Sequence, residues 1–282
     1  MRSEPITSPQ NPKIKEALSL GWKSDVRREK GLFLVEGRRE VERCLGAGFR
    51  ARALFRCPEL LSQEDFKDIG LLASANPACR CFEVPRPLYE KMAYRGGTEG
   101  IIAEVEWREL TLDDIPAPAA LVVVLESVEK PGNLGAVLRS ADAAGADAVI
   151  ACDPRTDLYN PNLIRASVGA VFTVPTVCCT SEQAIEWLKA NNIQILTAQL
   201  QDSSPYYDRD MTCPTAIVMG TEATGLTDRW REAADAHIRI PMLGVEDSLN
   251  VSVSAAILLY EAVRQRLSNP PGCRTAASER KP

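Results

Sequence analysis

Four stretches of this chain set polar side chains and glycines in patterns with a chemical use. In "LESVEKPGNLGAVLRSA", residues 125–141, Pro131-Gly132 makes a turn and Arg139 follows Asn133 by six residues. An arginine there can grip a phosphate through two parallel hydrogen bonds, or simply face solvent. Asn133 can orient a polar group or cap a helix. In "DPRTDLYNPNLIRASVGAVFTVP", residues 153–175, Asn160, Asn162, Arg165 and Ser167 crowd the start of a helix. Helix caps explain the asparagines, and Arg165 is a second candidate for a phosphate. "VMGTEATGL", residues 218–226, brackets Glu222 between Gly220, where backbone can approach a ligand closely, and Gly225, which permits an unusual turn. In "IPMLGVEDSLNVSVSAAILLYEAVRQR", residues 240–266, a strand end meets a proline, a polar loop and then an apolar helix. Backbone groups of Ile240, Met242 and Leu249 beside apolar side chains suit a flat base such as adenine. Ser248 and Asn250 orient a substrate there or cap the helix.

Other chemistries are disfavoured. A single histidine, His237, excludes a two-histidine metal site and makes a histidine-based triad a poor choice. The loop at Gly220 lacks the Gly-Lys-Ser/Thr of a phosphate-cradling loop, and no G-x-G-x-x-G dinucleotide fingerprint occurs. The nine cysteines include Cys79-Arg-Cys81 and Cys178-Cys179, which lack zinc spacing and read as cytosolic thiols. No apolar run reaches the length of a membrane span, and the start lacks a signal peptide's apolar core. The expectation is a cytoplasmic protein with no metal and no membrane partner.

The elements that must position these residues fall into two sets. "SPQNPKIKEALSL" predicts a turn and a helix, with Asn11 or Ser8 as cap and Pro12 near its first position. "LFLV" predicts a strand, Gly37 a turn, residues 38–46 a basic helix, and "ARALFRC" a second strand. Strands are also expected near Arg80–Val84 and Gly100–Val105. This defines a small α/β domain over residues 1–106. The proline-containing stretch 107–119 reads as a linker. Over residues 120–268 strands and helices alternate: "ALVVVLES", "ADAVIACD", "QILTAQL" and "TAIVMG" as strands, "NLGAVLRSADAAG" and "SEQAIEWLKANN" as helices. That alternation implies a parallel sheet with helices on both faces, whose ligand sits at the carboxyl ends of the strands. Residues 269–282 read as a disordered tail. Charge is uneven: residues 1–50 carry eleven Lys/Arg against seven Asp/Glu, so the rest of the chain holds -9 of a net -5. A basic front on an acidic body suits an RNA-contacting module, and equally an ordinary solvated helix face.

In order, "NLGAVLRSA", "IVMGTEATGL" and "IPMLGVEDSLNVSVSAAILLYE" resemble the motifs of the SpoU or TrmH-like class of SPOUT RNA methyltransferases, over about residues 120–266. "NPKIKEALSL" followed by "GLFLVEGRREVERCL" is similar to the opening of the substrate-binding domain often fused to that class. The resemblance implies a parallel sheet threaded into a trefoil knot, preceded by a smaller α/β RNA-binding domain. It implies S-adenosyl-L-methionine held by Gly220, Ile240, Met242 and Leu249, with Thr197 or Ala198 after the preceding strand. It implies a homodimer, transfer of a methyl group to a ribose 2′-hydroxyl of structured RNA, and Arg139 at the reaction centre. Asn133, Glu222, Ser248 and Asn250 would orient substrate, Arg139 and loops. Lys13, Arg38, Arg39, Arg139 and Arg165 would meet RNA, Arg165 in its own or the neighbouring subunit's site. Ala223-Thr224 stands where the family often has glycine after the glutamate. The fused front domain favours ribosomal RNA of the 23S type; transfer RNA, or RNA binding without turnover, are the alternatives.

Overall fold

The structure is a computed structural model that describes residues 3–94, 99–221, 224–245 and 247–268. In chain order the elements begin with β1 (Ser3–Pro5), α1 (Pro12–Trp22), α2 (Ser24–Lys30), β2 (Leu32–Glu36), α3 (Arg38–Gly46), β3 (Ala51–Arg56), α4 (Gln63–Ala73), β4 (Arg80–Glu83), α5 (Arg86–Met92) and β5 (Ile101–Glu106). They continue with β6 (Leu121–Glu126), α6 (Pro131–Ala144), β7 (Ala148–Cys152), α7 (Pro161–Ser167), α8 (Ala170–Thr173), β8 (Thr176–Cys179), α9 (Ser181–Ala190), β9 (Gln194–Ala198), β10 (Ser204–Pro205), β11 (Thr215–Met219), α10 (Asp228–Ala233), β12 (Ala236–Arg239) and α11 (Val251–Ser268).

These elements form two compact units that do not follow chain order. Unit 1 comprises residues 1–109, 130–139 and 156–173; unit 2 comprises 110–129, 140–155 and 174–282.

Unit 1 is built on a mixed sheet of order β1-β4-β3-β5-β2, in which β5 runs antiparallel to both its neighbours. Asn11 caps α1 by accepting the Lys13 N–H at 2.9 Å, and Pro12 takes the first helical position, where a missing N–H costs nothing. The apolar side of α1 (Ile14, Ala17 and Leu20) packs on Leu34, Phe55 and Ile102 of the sheet. Contacts of different kinds hold the distant segment 156–173 here, among them an ion pair and stacked rings. Arg27 and Asp157, both buried, form an ion pair at 2.6 Å. The rings of Phe33 and Tyr159 stack with centroids 4.0 Å apart. The close fit of α6 on α7 needs Gly135: a Cβ there would stand 2.6 Å from the Leu163 carbonyl oxygen.

Unit 2 is built on an all-parallel sheet of order β10-β12-β9-β11-β6-β7-β8. Strands β6, β7 and β11 are buried at every residue, which their unbroken apolar runs anticipate for a sheet covered on both faces. One face carries Val122, Val124, Ile150 and Val218 against Leu188 and Trp230; α11 packs on β11. Two expectations need adjusting. Helix α6 starts at Pro131, so Asn133 is its third residue rather than a residue preceding it. Strand β8 and helices α4 and α5 were not marked by periodicity. The expected tail, residues 269–282, lies outside the described residues. Among the described residues no helix is long and apolar enough to cross a membrane.

Candidate functional site

Strands β12, β9 and β11 are consecutive neighbours in the sheet of unit 2 and all run the same way. Their carboxyl ends therefore lie side by side, and the loops leaving them must meet at one edge of the sheet. A cavity of about 360 Å³ opens there. Its lining takes Ala198 and Gln199 from the end of β9, Gly220 and Leu226 from the loop after β11, and Ile240, Met242, Ser248 and Leu249 from the segment after β12.

The Gly220 loop is shaped by backbone rather than side chains. A Cβ at Gly220 would stand 2.2 Å from the Gly225 carbonyl oxygen and 2.5 Å from the Leu226 nitrogen, so only glycine lets the loop fold back. Thr221 and Gly225 exchange backbone hydrogen bonds of 3.2 and 3.0 Å, and Gly225 sits at φ +68°. The Thr224 N–H donates to the Thr221 hydroxyl at 3.0 Å, which closes the turn. Glu222 lies outside the described residues.

The loop's exit is anchored from below. Glu126, the last residue of β6, is buried and accepts the Thr227 N–H at 2.9 Å and the Thr227 hydroxyl at 2.7 Å. The Ser181 hydroxyl donates to Asp153 at 3.0 Å and accepts from the Trp230 indole at 3.2 Å. A buried carboxylate that receives two such bonds fixes where α10 begins.

Strand alternation separates the two residues expected at the end of β9. Thr197 is fully buried and its hydroxyl bonds His237 Nδ1 at 2.7 Å across to β12, its neighbour in register. Ala198 points the other way and lines the cavity. The lone histidine thus pairs with a strand hydroxyl. Asn250 caps α11: its Oδ1 accepts the Ser252 N–H at 3.0 Å and the Ser252 hydroxyl at 2.6 Å.

The remaining expected residues lie in unit 1 and do not line this cavity. Asn133 is half-buried, and Arg139 is exposed on α6 with no side-chain partner among the described residues. Arg165 is exposed on α7 and borders a separate cavity of unit 1. Lys13 pairs with Glu16 at 3.0 Å. Arg38 is tied to Glu42 at 2.8 Å and Asp65 at 2.7 Å, and those carboxylates push its pKa up. Arg39 is exposed.

Residues 120–260 match the SpoU rRNA Methylase family, and residues 11–103 match the MRM3-like substrate binding domain. The chain belongs to the SpoU rRNA methylase family. Among relatives, it is 30% identical over 270 residues to a 23S rRNA (uridine(2479)-2'-O)-methyltransferase of Streptomyces viridochromogenes, covering 93% of each chain. Among solved structures, it resembles an RNA 2'-O ribose methyltransferase at TM-score 0.80 and 41% identity, over 94% of this chain and 100% of that one. It also resembles an AdoMet-bound rRNA methyltransferase from Sinorhizobium meliloti at TM-score 0.85 and 29% identity, over 93% and 98% of the two chains.

In this SpoU family member two polar residues of the cavity carry no motif. Gln199 donates through Nε2 to the Gln201 carbonyl at 2.9 Å, while its buried Oε1 has no partner among the described residues. Arg231, also on the lining, has a buried Nε without a partner there. A buried polar atom left alone is costly, so both point to a ligand with polar groups of its own. The only sequence signal for Gln199 is its place one residue past a strand end. Glu126 carries a weaker one: a carboxylate closing an otherwise apolar strand.

Proposed function

We propose that this chain transfers a methyl group from S-adenosyl-L-methionine to a ribose 2′-hydroxyl in ribosomal RNA of the 23S type. The observation that carries the reading is the cavity at the ends of β9, β11 and β12. Its volume falls within the roughly 300–1,000 Å³ of small-molecule sites. Its walls combine the apolar Ile240, Met242 and Leu249 with a glycine that no side chain can replace and two polar atoms that have no partner among the described residues. That mixture fits a ligand with one flat apolar part and several hydrogen-bonding groups.

Ala198, Gly220, Ile240, Met242 and Leu249 would hold the cofactor, with Gln199 Oε1 accepting from one of its donors. When bound, S-adenosyl-L-methionine supplies an electrophilic sulfonium methyl group. The chain's own work is to bring the ribose hydroxyl to it, and such positioning is worth about 7–11 kcal/mol in the best intramolecular cases. Arg139 is the group proposed for that task. A guanidinium is a poor proton acceptor, so Arg139 holds the phosphate and ribose of the target nucleotide while water or another group takes the proton. Asn133, Glu222 and Ser248 orient substrate and loops, and Asn250 fixes the start of α11 beside Leu249. Arg39 and Arg165, exposed and cationic, are available to the RNA backbone; Lys13 and Arg38 would have to exchange their present ion pairs for phosphates. Thr197 is assigned to the sheet and not to the cofactor.

The same reading carries a trefoil knot in the C-terminal part of the sheet, a cytoplasmic location and a homodimer. Supporting the last, α11 shows one exposed apolar stripe: Val253, Tyr260 and Leu267, seven residues apart, are 47%, 51% and 79% exposed. In a dimer Arg165 is available to the site of either subunit.

The test is transfer of labelled methyl from S-adenosyl-L-methionine to a 23S rRNA transcript, with the product mapped by mass spectrometry of nucleosides. A 2′-O-methylated nucleotide is expected, and Arg139→Ala is expected to remove it. Methylation of transfer RNA alone would redirect the substrate. Methylation of a base instead of a ribose would overturn the reading.

A further inference from the structure

Unit 1 has a cavity of its own, bordered by α1, α3, α7 and the approach to β5, and nothing above uses it. We propose that this cavity receives one unpaired guanine base of the RNA, and so contributes to choosing the sequence that is bound. The idea rests on the RNA reading above.

At about 180 Å³ the cavity is smaller than sites for drug-sized ligands, which suits one planar heterocycle rather than a folded segment. Its rim carries Trp22, 64% exposed, with the Tyr94 ring 4.9 Å away and tilted by 37°. Unpaired bases of single-stranded RNA stack on such rings. The lining also carries three carboxyl groups, of Glu36, Glu40 and Glu99. Glu36 accepts the Tyr94 N–H at 2.7 Å and Glu99 Oε2 accepts the Arg38 N–H at 2.5 Å. These bonds fix the two groups, and no partner of Glu99 Oε1 is among the described residues. Glu40 bends back over Gly37, its Oε2 2.5 Å from where a Cβ would stand. Burial, reinforced by Glu99, raises the Glu40 carboxyl above its ordinary pKa.

An ionised carboxylate only accepts hydrogen bonds, so Glu99, with Glu36 beside it, selects a ligand edge rich in donors. Guanine presents N1–H and an exocyclic amine side by side, which match the two oxygens of one carboxylate. Uracil presents a single N–H between two carbonyl oxygens, and those oxygens would face the carboxylates. Three carboxyl groups in the lining also disfavour a bare phosphate deep in the cavity. Arg165, exposed at its border, supplies the cation for the phosphate next to the base.

The full chain is to be titrated with single-stranded UUGUU, with UUUUU and with guanosine monophosphate, following tryptophan emission. Trp22→Phe identifies the Trp22 signal. Binding of UUGUU about tenfold tighter than UUUUU is expected, as is loss of that preference in both Glu99→Gln and Glu40→Gln with unchanged circular dichroism. Equal affinity for the two oligonucleotides overturns the proposal. So does displacement of UUGUU by N-acetylarginine amide, which would mark a site for a protein cation. Guanosine monophosphate binding as tightly as UUGUU keeps the guanine chemistry but assigns it to a free nucleotide, and that overturns the role in RNA selection. Ribose methylation with no guanine preference would remove this inference alone, and absent methylation with the preference intact would remove the proposed activity alone.

Discussion

The two cavities of this chain are made by different means. In unit 2 the sheet is wholly parallel with apolar central strands, and the cavity follows from topology: three neighbouring strands end together and a glycine lets one loop fold back. In unit 1 the sheet is mixed, and charged side chains do what topology does elsewhere. Arg27 and Asp157 join distant segments, Glu104 is buried in the middle of β5, and three carboxyl groups line the cavity. A site made by backbone tolerates changes of side chain but not of glycine. A site made by charge depends on each partner and on pH.

The largest expected effect separates the two at their most sensitive points. Asp157→Ala leaves the Arg27 guanidinium, 2% exposed, without its partner. A loss of about 3–5 kcal/mol in stability is expected, read as an earlier chemical-denaturation transition of unit 1. A shift below about 1 kcal/mol would show that the ion pair does not hold segment 156–173 in place.

Next comes Glu104, whose two carboxyl oxygens have no partner among the described residues. Burial raises its pKa in the folded state, with Glu16 adding to the effect. The folded form then holds its proton more tightly than the unfolded chain. The stabilisation is complete below the unfolded carboxyl pKa and is lost as pH rises through the folded value. Unit 1 should therefore lose stability on going from acidic towards neutral pH, and Glu104→Gln should flatten that slope. An unchanged slope in the variant would assign the pH dependence to other groups.

The smallest effects give the sharpest comparison. Asn11 caps α1 in unit 1 and Asn250 caps α11 in unit 2. Replacing either by alanine should cost about 1 kcal/mol in thermal unfolding. Only Asn250→Ala should also weaken S-adenosyl-L-methionine binding, because the cap sits beside Leu249. Equal effects of both variants on cofactor affinity would erase the distinction drawn between the cavities.

What could be read from sequence follows the same division. The run Leu121–Glu126 is apolar at every residue but the last, and that states a doubly covered strand. The loops at Gly220 and Ser248 announce themselves by glycine and polar residues at strand ends. The Asn11-Pro12 pair marks the start of α1. Alternation also turns Thr197 into the sheet and Ala198 towards the cavity, a distinction that rests on the register of β9 against β12. Less legible was everything that depends on distant pairing. Nothing local tells that Asp157 meets Arg27, that Tyr159 stacks on Phe33, or that Glu36 and Glu99 border one cavity with Arg165. Asn133 resembled a helix cap because it precedes an apolar run, yet Pro131 takes the first helical position and moves the start of α6 two residues earlier.

The central claim is that the loops after β9, β11 and β12 clasp S-adenosyl-L-methionine, with Gly220 as the position that cannot carry a side chain. Calorimetric titration of the cofactor into the wild-type chain and into Gly220→Ala tests it most directly. One cofactor bound per wild-type chain is expected, with affinity weakened about a hundredfold or more in the variant, in line with about 3 kcal/mol for forcing a methyl group into packed backbone. Equal binding by the two proteins, or no heat of binding from the wild type at millimolar cofactor, would contradict the account.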